Sequence, residues 1–169
     1  MKDSLDVVKK GIRKHVVPKK VYIVDGARTP FLKMQAQRGR FSASDLALQA
    51  GRALLERQSF APDIIDEVVL GCVMPSENEA NIARIVSLRL GCGEKTPAWT
   101  VQRNCASGMQ ALDCAYKDIA LGRAEIVLAG GTEAMSHAPL LLRPGMIDWL
   151  SRWQRCRSLS EKYSVLKTQ

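Results

Sequence analysis

Short apolar runs alternate with amphipathic stretches along the chain, and that alternation predicts most of the fold. Val21-Tyr22-Ile23-Val24, Val68-Val69-Leu70-Gly71-Cys72-Val73 and Glu125-Ile126-Val127-Leu128-Ala129 are runs of the kind expected of strands buried on both faces. A further β-rich run, Trp99-Thr100-Val101, follows Pro97. Helical periods lie between them. Ser44 or Ser42 can cap a helix from Asp45 to about Gln58, with Leu46, Ala50, Ala53, Leu54 and Arg57 at helical spacing. A second helix carries Ile82, Ile85, Val86 and Leu90 and stops at Gly91. A third opens just past Cys105, places Met109, Leu112, Tyr116, Ile119 and Ala120 on an apolar stripe, and closes at Gly122. Strands alternating with helices predict an α/β layer: a mostly parallel sheet with helices on both faces.

The ends differ from this middle. Residues 1–20 read as a basic leader, and residues 144–169 as a tail of another character. In the tail, Trp149, Leu150, Trp153 and Cys156 fall near one helical face, flanked by Arg152, Arg155 and Arg157. Such a helix can lie on a membrane surface or bind an anion, but packing on another part of the protein is the simpler expectation. The net charge of +8 belongs to these ends, with seven Lys/Arg against two Asp in residues 1–20 and five against one Glu in residues 149–169. A near-neutral middle between basic ends argues against a nucleic-acid-binding domain, which carries its charge on a folded face. No apolar run is long enough to cross a membrane. Val16-Val17 is too short for a signal peptide, and Asp3 and Asp6 with the single Arg13 suit a transit peptide poorly. A cytoplasmic location is the expectation, with an organelle matrix also compatible.

Five cysteines occur, an odd number with no C-x-x-C pair, beside only two histidines. That excludes a disulfide framework or zinc site as the organising feature, and no metal is expected. Cys72 sits inside an apolar strand and Cys114 on a helix, so both read as packing. Cys105 is different, because Gln102-Arg103-Asn104-Cys105-Ala106-Ser107-Gly108 places it where a strand turns into a helix. A helix N-terminus offers unpaired N–H groups and partial positive charge, and it favours the thiolate, the nucleophilic form of cysteine. Spacing alone leaves two readings open: a nucleophile, or a small buried cysteine beginning a core helix. In parallel sheets functional groups gather beyond the carboxyl ends of strands, where both Cys105 and Gly130-Gly131-Thr132-Glu133 fall. Arg38-Gly39-Arg40 reads as a solvated turn in preference to a phosphate clamp.

Asn104-Cys105-Ala106-Ser107-Gly108-Met109-Gln110-Ala111-Leu112 resembles the acyl-enzyme cysteine motif of thiolases. Val24-Asp25-Gly26-Ala27-Arg28-Thr29-Pro30-Phe31 resembles their first strand and loop. Gly71-Cys72-Val73, Asn81-Ile82-Ala83-Arg84 and Thr96-Pro97-Ala98 follow in order, and Gly130 to Pro139 is similar to their glycine-rich segment. Gln102 departs from the pattern, since many thiolases carry Asn there.

The resemblance implies the N-terminal half of a two-half thiolase fold over residues 21–143, with residues 144–169 beginning a loop domain. It implies an acyl-CoA C-acyltransferase that forms an acyl-cysteine on Cys105, for thiolytic cleavage of 3-ketoacyl-CoA or Claisen condensation of acetyl-CoA. Coenzyme A and acyl-CoA are then substrates, with no bound cofactor. The complete protein would be a homo-oligomer, dimer or tetramer, and leader and tail look more like the β-oxidation branch, with its partner subunit and weak membrane contact. A Gly-His-Pro histidine and a second cysteine in Cys-x-Gly should supply the acid–base work, but neither motif occurs in these 169 residues. His15 and His137 do not match that histidine. Activity of these residues alone is therefore doubtful. The alternatives are a ketoacyl-synthase-like condensing enzyme, a non-catalytic half-domain that binds a partner, and a membrane-surface protein.

Overall fold

The computed structural model describes residues 19–34 and 37–167. The rest of the expected leader, His15 included, lies outside the described residues. The described residues form two compact units that divide after Ala138.

In the first unit β1 (Glu67–Gly71) runs down the middle of a sheet ordered β2-β1-β3, parallel to β2 (Ala98–Val101) and to β3 (Val127–Gly131). Val68 pairs with Ala98 on one side and Leu128 on the other. The register at β3 is fixed before the strand begins. The Asp66 carboxylate accepts from the N–H groups of Glu125 (2.7 Å) and Ile126 (3.0 Å), and the Asp66 N–H donates to the Ile126 carbonyl (2.9 Å).

Helices cover both faces. On one, α1 (Ala43–Leu55) and α2 (Ile82–Leu90) bury Leu48, Ile82, Val86 and Leu90 against Val68, Leu70 and Leu128. Ser42 caps α1: its hydroxyl accepts from the Asp45 N–H while Asp45 accepts from the Ser42 N–H, a closed capping box. Asn81 caps α2 through the Arg84 N–H, and Gly91 ends it at φ 85°, a left-handed conformation that favours glycine.

Glu79 is a buried carboxylate that ties the start of α1 to the 76–79 turn. It accepts from the Ser42 hydroxyl (2.6 Å), the Ser44 N–H (2.9 Å) and the Ser76 hydroxyl (2.7 Å). Burial opposes its charge, but the hydrogen bonds from Ser42, Ser44 and Ser76 together outweigh that and hold the carboxyl down at about 2.

On the opposite face lies α3 (Ser107–Ala120), and here the expected stripe is corrected. The side that meets the sheet carries Ser107, Ala111, Ala115 and Ala120, whereas Met109, Leu112 and Tyr116 are exposed, Met109 at 69%. The reason is closeness. A Cβ placed on Gly71 of β1 would lie 2.3 Å from the Ser107 carbonyl carbon and 2.6 Å from the Gly108 nitrogen, so the helix start rests directly on strand backbone. Only small residues fit between elements packed that tightly.

The run at Val21–Val24 is corrected as well. It belongs to no strand, and Ile23 is 87% exposed. Its ends are held, by the Lys19 N–H on the Ala120 carbonyl (3.2 Å) and by Asp25 on Arg57 (3.0 Å), but no ladder joins it to β3. An apolar run predicts a buried strand only where a neighbouring strand lies within pairing distance. The sheet thus has three strands among the described residues, where the sequence predicts four. Gly130 and Gly131, expected beyond the last strand, are its final residues.

The second unit is a helical pair, α4 (Pro144–Arg155) and α5 (Leu159–Lys167). Trp149 and Trp153 stack at 5.4 Å on α4, Lys162 of α5 lies over the Trp153 ring, and the Trp149 indole N–H donates to the Val165 carbonyl. The aromatic face of the tail is therefore occupied in part by its own second helix. No helix among the described residues is long and apolar enough to cross a membrane.

Two stability outcomes follow. Gly71→Ala should cost about 3 kcal/mol, read as a lower urea midpoint, because the atoms it meets are backbone. Gly26→Ala, with nothing within 4 Å of its added Cβ, should leave the midpoint unchanged; equal effects would contradict the packing. Glu79→Gln should lose about 1–3 kcal/mol at neutral pH. Because the folded carboxyl sits below its ordinary 4.5, the native advantage is complete above that value and disappears as pH falls toward about 2. Urea titrations of both proteins at neutral and acid pH should converge; a constant gap would contradict it.

Candidate active site

β2 ends at Val101, and the next five residues turn the chain into α3. Asn104 takes a left-handed conformation (φ 48°), which asparagine tolerates better than most residues. Ser107 locks the turn from inside. Its hydroxyl accepts from the Arg103 N–H (2.8 Å) and donates to the Asn104 carbonyl (2.6 Å). The N–H groups of Ala106 and Ser107 donate to the carbonyls of Arg103 and Asn104. Outside the turn, the Arg103 guanidinium donates to Gln110 of α3 (2.7 Å). Gln102, the departure noted in the sequence, accepts from the Asn104 N–H at 3.4 Å and so serves the same turn.

Cys105 stands between these bonds and is exposed. The buried-packing reading of it is thereby excluded. No side chain caps the start of α3, whose N–H groups carry the positive end of the helix dipole. Among the described residues no side chain hydrogen-bonds to the Cys105 sulfur.

The other four cysteines are withdrawn to different degrees. Cys72 and Cys92 are buried, and Cys114 and Cys156 are half-buried. Burial pushes the Cys72 thiol up to about 12, and the adjoining Glu133 carboxylate adds to the effect. Burial raises Cys92 too. Cys156 donates its S–H to the Arg152 carbonyl. Cys72 thus takes the packing role expected of it, whereas Cys114 is half-buried and its sulfur accepts from the Gln110 side chain (3.5 Å).

The sheet does bring the two strand ends together. A Cβ on Gly108, three residues past Cys105, would lie 3.6 Å from the Gly131 Cα, and one on Gly131 would lie 2.9 Å from the Gly108 Cα. Beyond Gly131, Thr132 donates its N–H to the Gly71 carbonyl (2.9 Å) and its hydroxyl to the Ala43 carbonyl (2.7 Å). The Glu133 carboxylate accepts from the N–H groups of Val73 (2.8 Å) and Met74 (3.3 Å). The segment from Gly130 to Glu133 therefore packs against the start of α3 and holds the loop after β1. Gly71 and Glu133 are positioning residues that the sequence does not single out, although a glycine inside an apolar strand run is the usual sign of close backbone approach.

His137 is engaged away from any base role: its Nε2 lies 2.6 Å from the Gly39 carbonyl, and the neighbouring Ser136 hydroxyl accepts from the Gly39 N–H. Arg38 of the same turn pairs with Glu77 at 2.9 Å, so the expected solvated turn is a surface clasp. No group of His, Cys, Asp and Glu among the described residues could hold a metal ion.

An exposed thiol at a helix start, above the carboxyl ends of parallel strands and ringed by small residues, can accept an acyl group from a thioester. Known proteins are similar to this chain in sequence and in fold. The family model "Thiolase, N-terminal domain" matches residues 21–162. Human mitochondrial 3-ketoacyl-CoA thiolase is 40% identical over 124 residues, 73% of this chain and 31% of that protein. The bovine mitochondrial trifunctional enzyme subunit beta is 34% identical over 146 residues, 86% of this chain and 31% of that one. Among solved structures, human mitochondrial 3-ketoacyl-CoA thiolase in complex with CoA superposes with a TM-score of 0.59 at 41% identity, over 62% of this chain and 27% of the other. A thiolase from Ascaris suum in complex with coenzyme A gives 0.70 at 30% identity, over 75% and 33%. The chain spans about a third of the length of the curated relatives it matches, 31% in each of these two. With its motifs in order, its parallel sheet and this match across most of its length, the chain belongs to the thiolase family.

Proposed function

We propose that this chain supplies the acyl-accepting cysteine of an acyl-CoA C-acyltransferase, with Cys105 as the nucleophile. The observation that carries the reading is that Cys105, alone of five cysteines, is exposed, and that it sits at the strand-to-helix corner three residues before Gly108, the residue packed on Gly131. In the degradative direction the Cys105 thiolate attacks the ketone carbon of a 3-ketoacyl-CoA. The bond between that carbon and its α-carbon breaks, the acyl group stays on sulfur, and the departing acetyl-CoA carbanion takes a proton. The thiol of CoA then attacks the acyl-cysteine, releasing a shorter acyl-CoA and returning the Cys105 thiolate. Exchange between thioesters is nearly balanced, so the same steps run toward condensation when acetyl-CoA attacks as its enolate.

In this reading residues 21–143 form the nucleophile-bearing half and residues 144–169 begin a loop domain. The N–H groups at the start of α3 favour negative charge on the developing oxyanion. The proton donor and the base come from the further length that the relatives carry. The match to the trifunctional enzyme subunit beta supports an oligomeric enzyme with a β-oxidation partner subunit.

Incubation with acetyl-CoA should add one acetyl group to the intact mass of the chain, mapped to Cys105 and missing from Cys105→Ala. An adduct that survives Cys105→Ala would remove Cys105 from its role. Steady thiolysis of acetoacetyl-CoA by these 169 residues should be slower than that of a full-length thiolase by at least about 10²–10⁴, the usual contribution of positioned acid–base groups. Turnover equal to the full-length enzyme would overturn the division of labour.

A further inference from the structure

Arg103 is tied to α3 twice, once through its backbone and once through its side chain. The backbone N–H donates to the Ser107 hydroxyl (2.8 Å). The guanidinium donates to the Gln110 carboxamide oxygen (2.7 Å), three residues and about 4.5 Å further along the helix axis. Gln110 is not free to swing. Its amide nitrogen donates to the Asp113 carboxylate (2.9 Å) and to the Cys114 sulfur (3.5 Å), so both ends of the carboxamide are engaged. Asp113 is held in turn by Lys117 at 2.5 Å. The hydrogen bond from Lys117, helped by that from Gln110, keeps the Asp113 carboxyl below the usual carboxylate range. Residues 110, 113 and 117 follow the three- and four-residue spacing of a single helix face, and Arg103 is the end of the ladder they form.

We propose that Gln110 is a positioning residue for Cys105, acting through Arg103 to fix the angle at which the nucleophile's turn stands on α3. The inference rests on the reading of Cys105 as the nucleophile. The bonds that Ser107 and Ala106 make with Arg103 and Asn104 close the turn on itself and give it its shape. On the strand side of Cys105, residues 102–104 reach α3 beyond Ser107 through the Arg103–Gln110 bond alone, among the described residues. One tie fixes a point and leaves an angle open, whereas two ties at different heights fix the angle as well. That angle sets where the sulfur points, and attack on a thioester depends on it steeply. A small alkylating agent, which approaches from many directions, does not depend on it. The ladder is no stability device. It lies at the surface, with the Lys117 side chain 60% and the Asp113 side chain 42% exposed, and such bonds add little to global stability.

Two measurements on the isotopically labelled 169-residue chain test this. The first is the backbone amide order parameter of each residue, read by NMR. In the parent chain Asn104 and Cys105 should be as rigid as α3, at about 0.85, and in Gln110→Met they should fall below about 0.6. Arg103→Met should give the same loss, and the double variant no more than either alone. Gln110→Glu keeps an oxygen for Arg103 and makes the bond charge-assisted, so it should restore the parent values. The second measurement is the rate of Cys105 acetylation by acetyl-CoA divided by its rate of alkylation by iodoacetamide. The ratio should fall about fivefold in Gln110→Met, the worth of one hydrogen bond, and return in Gln110→Glu, with the urea midpoint as in the parent. Order parameters that Gln110→Met leaves unchanged would overturn the brace, as would a loss that Gln110→Glu does not repair or that deepens in the double variant. A ratio that keeps its parent value while the order parameters fall would overturn the positioning role. Absence of acetylation in the parent chain would remove Cys105 as nucleophile and the role of Gln110 with it, and the order parameters distinguish that failure from failure of the brace.

Discussion

The contact on which this structure depends is backbone against backbone, where the start of α3 presses on the ends of β1 and β3. Gly71, Gly108 and Gly131 meet there at distances that leave no place for a Cβ on Gly71 or Gly131. A helix seated that low can show the sheet only small side chains, which is why Ser107, Ala111 and Ala115 are buried against it while Met109 is exposed and Leu112 and Tyr116 stand at a cavity beside β3. The same seating fixes the height of the turn before the helix. Ser107 is at once the first residue of α3, a neighbour of the Gly71 site and the hydroxyl that locks Arg103 and Asn104. Cys105 is therefore held out from the fold by packing and hydrogen bonds that all converge on its neighbours, not on itself.

The chemistry of the cysteines follows from where each lies on this frame. Cys72 sits one residue past Gly71, buried, with the Glu133 carboxylate beside it, and a thiolate there would be both desolvated and repelled. Glu133 spends its charge on the backbone N–H groups of Val73 and Met74, so it secures the loop that borders the site. Glu79 does the same for the start of α1 through Ser42, Ser44 and Ser76. Both carboxylates are structural anchors, and neither forms a hydrogen bond with Cys105 among the described residues.

Much of this was legible in the sequence because it is local. The capping of α1, the Gly91 stop of α2 and the strand-to-helix corner at Cys105 are each written within a few neighbouring residues. The errors arise where the deciding neighbour is distant. Val21–Val24 has the composition of a buried strand, but pairing requires an adjacent edge, and its space beside β3 is a cavity. The apolar stripe on α3 was located by period, yet which face meets the sheet is decided by Gly71 and Gly131 on other elements. The tail reads as one basic helix, but the chain breaks between Cys156 and Ser158 so that α5 can return Lys162 to the Trp153 ring. Exposure of Cys105, the fact that separates nucleophile from packing, is likewise a property of the whole arrangement.

The central claim is that the glycine contact between α3 and β3 places Cys105 for acyl transfer. The most direct measurement is the rate of Cys105 acetylation by acetyl-CoA in Gly131→Ala, whose added Cβ would lie 2.9 Å from the Gly108 Cα and must lift the corner. Iodoacetamide alkylation of the same thiol, which needs exposure but no placement, serves as the reference. The account predicts that acetylation falls by at least about tenfold, the equivalent of 1.4 kcal/mol, while alkylation and circular dichroism stay as in the parent chain. An unchanged acetylation rate in the folded variant would contradict it.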